Sequence, residues 1–212
     1  MLQPHPHQPI QLYRHSLSGH SHRVELFLSL LGLPFERIDL DLAAGAHKQP
    51  EFLKINSFGQ VPAIDDNGVI VADSNAILVY LAMKYADSRW LPRDPEGSAA
   101  IQRWLSVAAG QIIYGAAAAR LVTVFGANLD QERAKTIAHN LFKQIEAHLE
   151  NQQFLVGDLP TIADIACYPY IAHAPEGEIS LQPYPQIRAW LTRIEQLPGF
   201  VPMVKTAVGL AA

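Results

Sequence analysis

A chain of 212 residues with 49% hydrophobic and 17% charged side chains has ample apolar material for a buried core, which excludes an intrinsically disordered class. Its net charge of −4 gives no electrostatic footprint for nucleic acid. Apolar runs are broken by Pro, Gly or charge before ~18 residues, which argues against a membrane span, and the single cysteine, Cys167, rules out an internal disulfide and suits an intracellular, cytoplasmic setting.

In chain order, residues 1–9 are rich in His, Pro and Gln and lack a charged stretch followed by an apolar one. They read as a flexible leader rather than a signal peptide, with His5 and His7 able to hold metal only opportunistically. Residues 10–14 alternate as a strand, and 23–31 form an apolar-rich helix stopped by Gly32 and Pro34. Residues 35–40 again carry the two-residue period of a strand. After Val61-Pro62 comes a short strand, then Asp65-Asp66-Asn67-Gly68, whose Asn-Gly between apolar runs signals a hairpin. Residues 69–72 make the next strand and 75–85 a helix. The sum is a βαβαββα order, that of a thioredoxin-like α/β layer over residues 10–86.

Residues 87–95, with two prolines, read as a linker to an all-helical domain over 96–212. Helices are expected at 98–126, 130–150, 161–172 and 184–197. Thr161 and Asp164 stand three residues apart, the spacing of a capping box, so Asp164 is expected to hold the fold rather than to do chemistry.

The sharpest local signal is Asn56-Ser57-Phe58-Gly59-Gln60-Val61-Pro62, followed by Asp73-Ser74-Asn75-Ala76-Ile77. Val-Pro between a turn and a short strand invites a cis peptide, which proline alone makes cheap. Such a bond would turn the Val61 N–H and C=O outward, free to pair with the main chain of a bound peptide. Asp73-Ser74 falls where a strand gives way to a helix, and helix N-terminal amides suit a carboxylate. A backbone clamp beside an anion site fits a small acidic peptide.

The segment from His47-Lys48 through Phe52-Leu53 to Asn56-Ser57-Phe58-Gly59-Gln60-Val61-Pro62 resembles the glutathione-binding half of cytosolic glutathione transferases. The likeness extends over residues 11–200, is most specific at 47–77, and is nearest to a bacterial, phi- or theta-like, serine-type branch. Ser57 stands where that pattern usually has Pro, and Asp73 where Glu is commoner. The resemblance implies glutathione as co-substrate, a small hydrophobic electrophile or peroxide as second substrate, and a homodimer, with no metal.

It also implies roles for single residues. In phi-type enzymes the catalytic serine lies five residues before the Arg-Val opening the first helix, and Ser18 stands so before Arg23-Val24. Its task would be to stabilise the glutathione thiolate, since a thiol of pKa ~8.5 is only slightly ionised at neutral pH. A drop of about two units corresponds to ~2.7 kcal/mol, which a serine donor and a helix N-terminus can supply. Ser21 is expected to be the helix N-cap, Ser16 to point elsewhere, and Tyr13 is the tyrosine-type alternative.

By the same resemblance, His47 and Lys48 hold the glycine carboxylate, Gln60 and Val61 the backbone, and Pro62 enforces the geometry. Ser74 takes the γ-glutamyl carboxylate and Asp73 the α-amino group, with a neighbouring subunit's help as one option. His15, His20 and His22 cluster without the carboxylates or thiolates of a metal site, and His20 is a candidate contact at the mouth. The second-substrate pocket is placed near the inward residues Trp104, Ile113, Tyr114 and Arg120; helical spacing puts Ile113, Ala117 and Arg120 near one face with Tyr114 offset by one position, and Arg120 either attracts an anion or makes a salt bridge. A glutathione-dependent peroxidase or disulfide reductase and a non-catalytic binding protein remain open beside the transferase reading.

Overall fold

The computed structural model describes residues 5–208; the first four residues of the expected leader lie outside them. Alternation builds β1 (Ile10–Arg14) with Ile10 and Leu12 fully buried. A crossover through α1 (Gly19–Leu30) returns β2 (Phe35–Asp39) parallel to β1, pairing Leu12 with Arg37. β3 (Ala63–Asp66) runs antiparallel to β1, and β4 (Val69–Ala72) antiparallel to β3, giving the order β2-β1-β3-β4. Between β2 and β3 the chain makes a 3-10 turn, Ala46–Lys48, and a one-turn helix α2 (Pro50–Leu53) with proline at its start. With α3 (Ser74–Tyr85) the expected thioredoxin-like layer is complete.

The hairpin expected from Asn67-Gly68 forms, both residues taking positive φ (54° and 89°) as that two-residue turn demands. Asp66 is not a solvated turn residue. It ends β3 wholly buried and accepts from Tyr80, Lys84 and Tyr85, tying the hairpin to α3. Burial works to raise its carboxyl, but those donors outweigh it and hold the group down at about 2.

The second half is helical: α4 (Pro95–Ala109), α5 (Ala118–Phe125), α6 (Gln131–Leu149), α7 (Ile162–Ala172) and α8 (Pro185–Glu195). The single helix expected over 98–126 is interrupted at Gly110 and again by a π-helical turn, Ile113–Ala117. Close approach to α6 goes with that turn: a Cβ on Gly115 would stand 3.0 Å from Ala138 N. By length and composition the run Pro95–Phe125 could cross a bilayer. Here it is a core element, with Ile101, Leu105, Ala108, Ile112 and Ala116 buried.

Residues 87–95 are a strap rather than a loose linker. Trp90 is buried and meets the Phe27 ring edge-on at 5.1 Å. Its carbonyl accepts from Ile162 N–H at 3.0 Å, satisfying an amide at the start of α7. Thr161 caps α7 with the expected reciprocal box, and α7 packs against both α1 and α3. The two halves thus share one hydrophobic core.

Candidate active site

A cavity of about 1030 Å³ opens between the sheet-side loops and the α5 end of the helical half. Of the residues expected at the site, Ser18, His20, His47, Lys48, Gln60, Val61, Pro62, Asp73, Ser74, Ile113 and Arg120 line it. Tyr114 does not: it is 68% exposed and turns out of the helical row that carries Ile113 and Ala117. Trp104 is core. Tyr13, the tyrosine alternative, lies outside the lining and spends its hydroxyl on Gln11 at 3.0 Å.

The loop from β1 to α1 differs from expectation in which serine caps the helix. Ser18, in extended conformation, is the N-cap, and its Oγ accepts from Ser21 N–H at 3.2 Å. Ser21 is buried and accepts from His15 N–H instead. Capping uses a lone pair of Ser18 and leaves its hydroxyl proton free to donate. The loop is also gripped from the helical half, where Arg120 Nη1 donates to Leu17 O at 3.0 Å. Arg120 is 2% exposed and ion-paired with the wholly buried Glu176, so of its two expected roles the structure has the salt bridge.

At the start of α3, Asp73 sits at φ 72° and accepts from Asn75 N–H and Ala76 N–H, both at Oδ1. It is therefore the helix N-cap, whatever else its carboxylate does, while the Ser74 amide is not one of the two it caps. Ser74 Oγ is buried and meets Arg23 Nη1 at 2.8 Å and His20 Nδ1 at 3.1 Å. Arg23 Nη1 also donates to Asn75 Oδ1 at 3.0 Å, while its Nε and Nη2 have no partner among the described residues. Arg23 Nη1 also lies 3.3 Å from His20 Nδ1, so the imidazole and the guanidinium meet at the same serine oxygen. Burial, then the Arg23 charge, pushes His20 down to about 3, so it is neutral near pH 7. His20 occupies the first turn of α1 rather than a loop tip, and His22 turns away to Val201 O at 2.9 Å.

The far wall is built on Asn56. Its side chain accepts from Phe58 N–H at 3.1 Å and donates to Gln60 O at 2.8 Å, which fixes the turn. Lys48 Nζ reaches across to Gly59 O at 2.9 Å, and His47 Nδ1 is buried without a partner among the described residues. The Val61–Pro62 peptide is cis, and the β1–β3 register begins only at Ala63. Opposite, Leu17, Ile113, Ala117, Leu121 and Phe125 make an apolar wall.

Sequence reasoning used Arg23 only as a spacing mark. Its signal was there, as the one Lys or Arg of α1. Among the described residues no group of three or more His, Cys, Asp or Glu is placed to share an ion. Cys167 is buried in α7, its thiol pushed up by burial, and does not line the cavity.

A family model for the glutathione S-transferase N-terminal domain matches residues 8–83, and one for the C-terminal domain matches residues 115–198. The chain is 35% identical to glutathione S-transferase 3 of Zea mays over 205 residues, 91% of each chain. It is 30% identical to glutathione S-transferase theta-2 of Homo sapiens, over 90% of this chain and 82% of that one. Among solved structures, a glutathione S-transferase from Pseudomonas fluorescens Pf-5 superposes with a TM-score of 0.86 at 30% identity, covering 93% of this chain and 100% of that one.

Proposed function

We propose, from the premise that this chain belongs to the glutathione S-transferase family and is an enzyme of that family, that it works by a serine-type mechanism with Ser18 as thiolate donor. The carrying observation is Ser18 itself, which borders the cavity as the N-cap at the positive end of α1. Glutathione is the co-substrate. Its γ-glutamyl carboxylate fits the Ser74 hydroxyl and the Ser74 N–H, the amide that Asp73 leaves uncapped, with the buried Arg23 cation behind them. Its α-amino group falls to Asp73, its cysteinyl main chain to Val61 beyond the end of the ladder, and its glycine carboxylate to His47 and Lys48. Gln60 contacts the peptide backbone and Pro62 shapes that turn.

The thiolate then attacks a small hydrophobic electrophile held against Leu17, Ile113, Ala117 and Phe125. The new carbon–sulfur bond forms as the leaving group departs with its electron pair. A phi- or theta-like branch, a homodimer, a cytoplasmic setting and boundaries at 10–86 and 96–212 complete the reading. Parallel assays with an aryl halide, an organic peroxide and a small disulfide test it. Conjugation of the aryl halide is the expected dominant activity, and turnover of peroxide or disulfide alone would replace the electrophile assignment.

Ser74→Ala and Lys48→Ala are expected to weaken glutathione binding while saturating turnover stays near the parent's. Each acts on a carboxylate remote from the sulfur, so ground and transition states lose alike. A charge-assisted hydrogen bond is worth ~1.5–3 kcal/mol, or about ten- to a hundredfold at Ser74. Lys48, already held by Gly59 O, should cost less. Calorimetric titration decides it, and unchanged affinity in both variants would move the peptide elsewhere.

A further inference from the structure

We propose that Arg120 is a positioning residue for Ser18: from the helical half it holds Leu17 O, fixes the plane of the Leu17–Ser18 peptide and so aims the serine hydroxyl at the glutathione sulfur. The inference rests on Ser18 being the sulfur's donor, and it gives the buried guanidinium a task in the reaction. A peptide unit is planar, so its two ends turn together. Here both ends are held. Ser18 N–H donates back to His15 O at 3.0 Å, closing a turn over residues 15–18, and the Leu17 oxygen accepts from Arg120 Nη1, also at 3.0 Å. With the turn bond alone the unit could still pivot about the dihedrals on either side of it, and φ of Ser18 is one of them. That residue must stay extended, at φ −87° and ψ 118°, to cap α1 and to border the cavity. The far side of Ser18 is set by packing, since a Cβ on Gly19 would stand 2.7 Å from Tyr170 Cζ. Arg120 governs the near side.

The guanidinium suits this task because it is itself immobile. Its Nε donates to Glu176 Oε2, and both side chains are buried. The other carboxylate oxygen accepts from Thr206 N–H at 2.9 Å, and His173 Nδ1 stands 3.3 Å from it. The 3-10 turn Ala174–Gly177 presses on α5 so closely that a Cβ on Gly177 would lie 2.6 Å from Arg120 N. The Phe125 ring covers one face of the guanidinium, its centre 5.7 Å from Cζ. With its charge met by Glu176 and only 2% of its surface exposed, Arg120 offers a ligand no free cation. A buried ion pair contributes little net stability over an apolar pair of similar volume. What this one supplies is direction, because the planar fork puts one prong on Glu176 and another on Leu17 O.

Arg120→Lys keeps the cation and its ion pair but has no fork to span from Glu176 to Leu17 O. The readout is the ultraviolet thiolate band of glutathione bound to the full-length enzyme, titrated against pH. Misplacing a reacting group by about 1 Å costs ~10²-fold, and a loop that keeps its turn bond and its cap should lose less. We expect the bound thiol to ionise about one unit higher and kcat/KM near neutrality to fall about tenfold, closing on the parent's at high pH, where the thiolate forms unaided. Glutathione affinity, measured where the thiol is protonated, should hold within about twofold, because both of its carboxylates are held elsewhere. In a Ser18→Ala background Arg120→Lys should do nothing more. Arg120→Met with Glu176→Gln removes both charges together and leaves an acceptor for Thr206 N–H, so it reads the same loop if the lysine variant does not fold, and it should titrate as high. A normal Arg120→Lys titration beside an impaired Ser18→Ala would show that charge alone suffices, which overturns the positioning role. So does a lower thermal midpoint with the titration and kcat/KM per folded molecule unchanged. A normal Ser18→Ala titration removes the reading beneath it instead. An Arg120→Lys effect persisting without Ser18 would mean that the arginine acts by a route other than the serine, which also overturns the proposal.

Discussion

Replacing Ser18 with alanine is expected to lower saturating turnover by about one to three orders of magnitude while glutathione affinity stays close to the parent's. Loss of a single preorganised donor to a developing anion costs ~10²–10³ in comparable sites. An interaction made to the thiolate and transition state, and only weakly to the bound thiol, shows in kcat and kcat/KM together. Ser18 has a second job as the N-cap of α1, so alanine also removes a cap worth ~1 kcal/mol. Glycine separates the two effects. It caps within a few tenths of a kcal/mol of serine, so Ser18→Gly should be as inactive as Ser18→Ala and melt closer to the parent. Ser21→Ala and Tyr13→Phe are the controls, since neither hydroxyl borders the cavity. Damage confined to either control, with Ser18→Ala active, would end the serine assignment.

The sequence made several local features of this chain readable because they are backbone features. Asn67-Gly68 can do little but turn, Val61-Pro62 is cis, and Thr161 with Asp164 makes a reciprocal cap. What it could not settle was which of several similar groups faces inward. Ser18 and Ser21 are both plausible caps on spacing alone. The choice depends on where β1 ends and α1 begins, which is set by the grip of Arg120 on Leu17 O and by Tyr170 beneath Gly19. Both partners lie more than a hundred residues away. Tyr114 failed for a related reason: it sits one position off the row that carries Ile113 and Ala117, and the π-turn that sets the row arises from Gly115 meeting α6. Arg120 left an anion site and a salt bridge equally open, because its ion-pair partner Glu176 is invisible to any local pattern. Residues 87–95 read as a linker from their prolines, yet one buried tryptophan makes them part of the shared core.

Asp164→Ala is expected to be the most destabilising single change outside the cavity. The carboxylate is wholly buried and accepts from four donors: Leu155 N–H at 2.8 Å, Thr161 N–H at 2.8 Å, Thr161 Oγ1 at 3.0 Å and Trp190 Nε1 at 2.9 Å. It thereby joins the start of α7 to the 155 loop and to α8. Burial pushes its carboxyl up, and the four donors work against that shift. Alanine strands those donors in a dry interior, at ~1–3 kcal/mol for each one left unsatisfied. Relaxation will recover part of that, so a net loss of about 3–5 kcal/mol is expected, of the size found when one partner of a buried charged network is removed. Against a total stability of order 5–15 kcal/mol this is a large fraction, and for a chain of this length it lowers Tm by about 10 °C. Asp164→Asn keeps one carbonyl acceptor and removes the charge, so it should fall between the two. Because Asp164 does not border the cavity, the folded fraction of either variant should bind glutathione and turn over as the parent does. Thermal melts read together with activity per folded molecule decide the matter. If Asp164→Ala melts with the parent, the four bonds are not what joins α7 to its neighbours; if it melts normally yet loses turnover, the residue belongs to the chemistry after all.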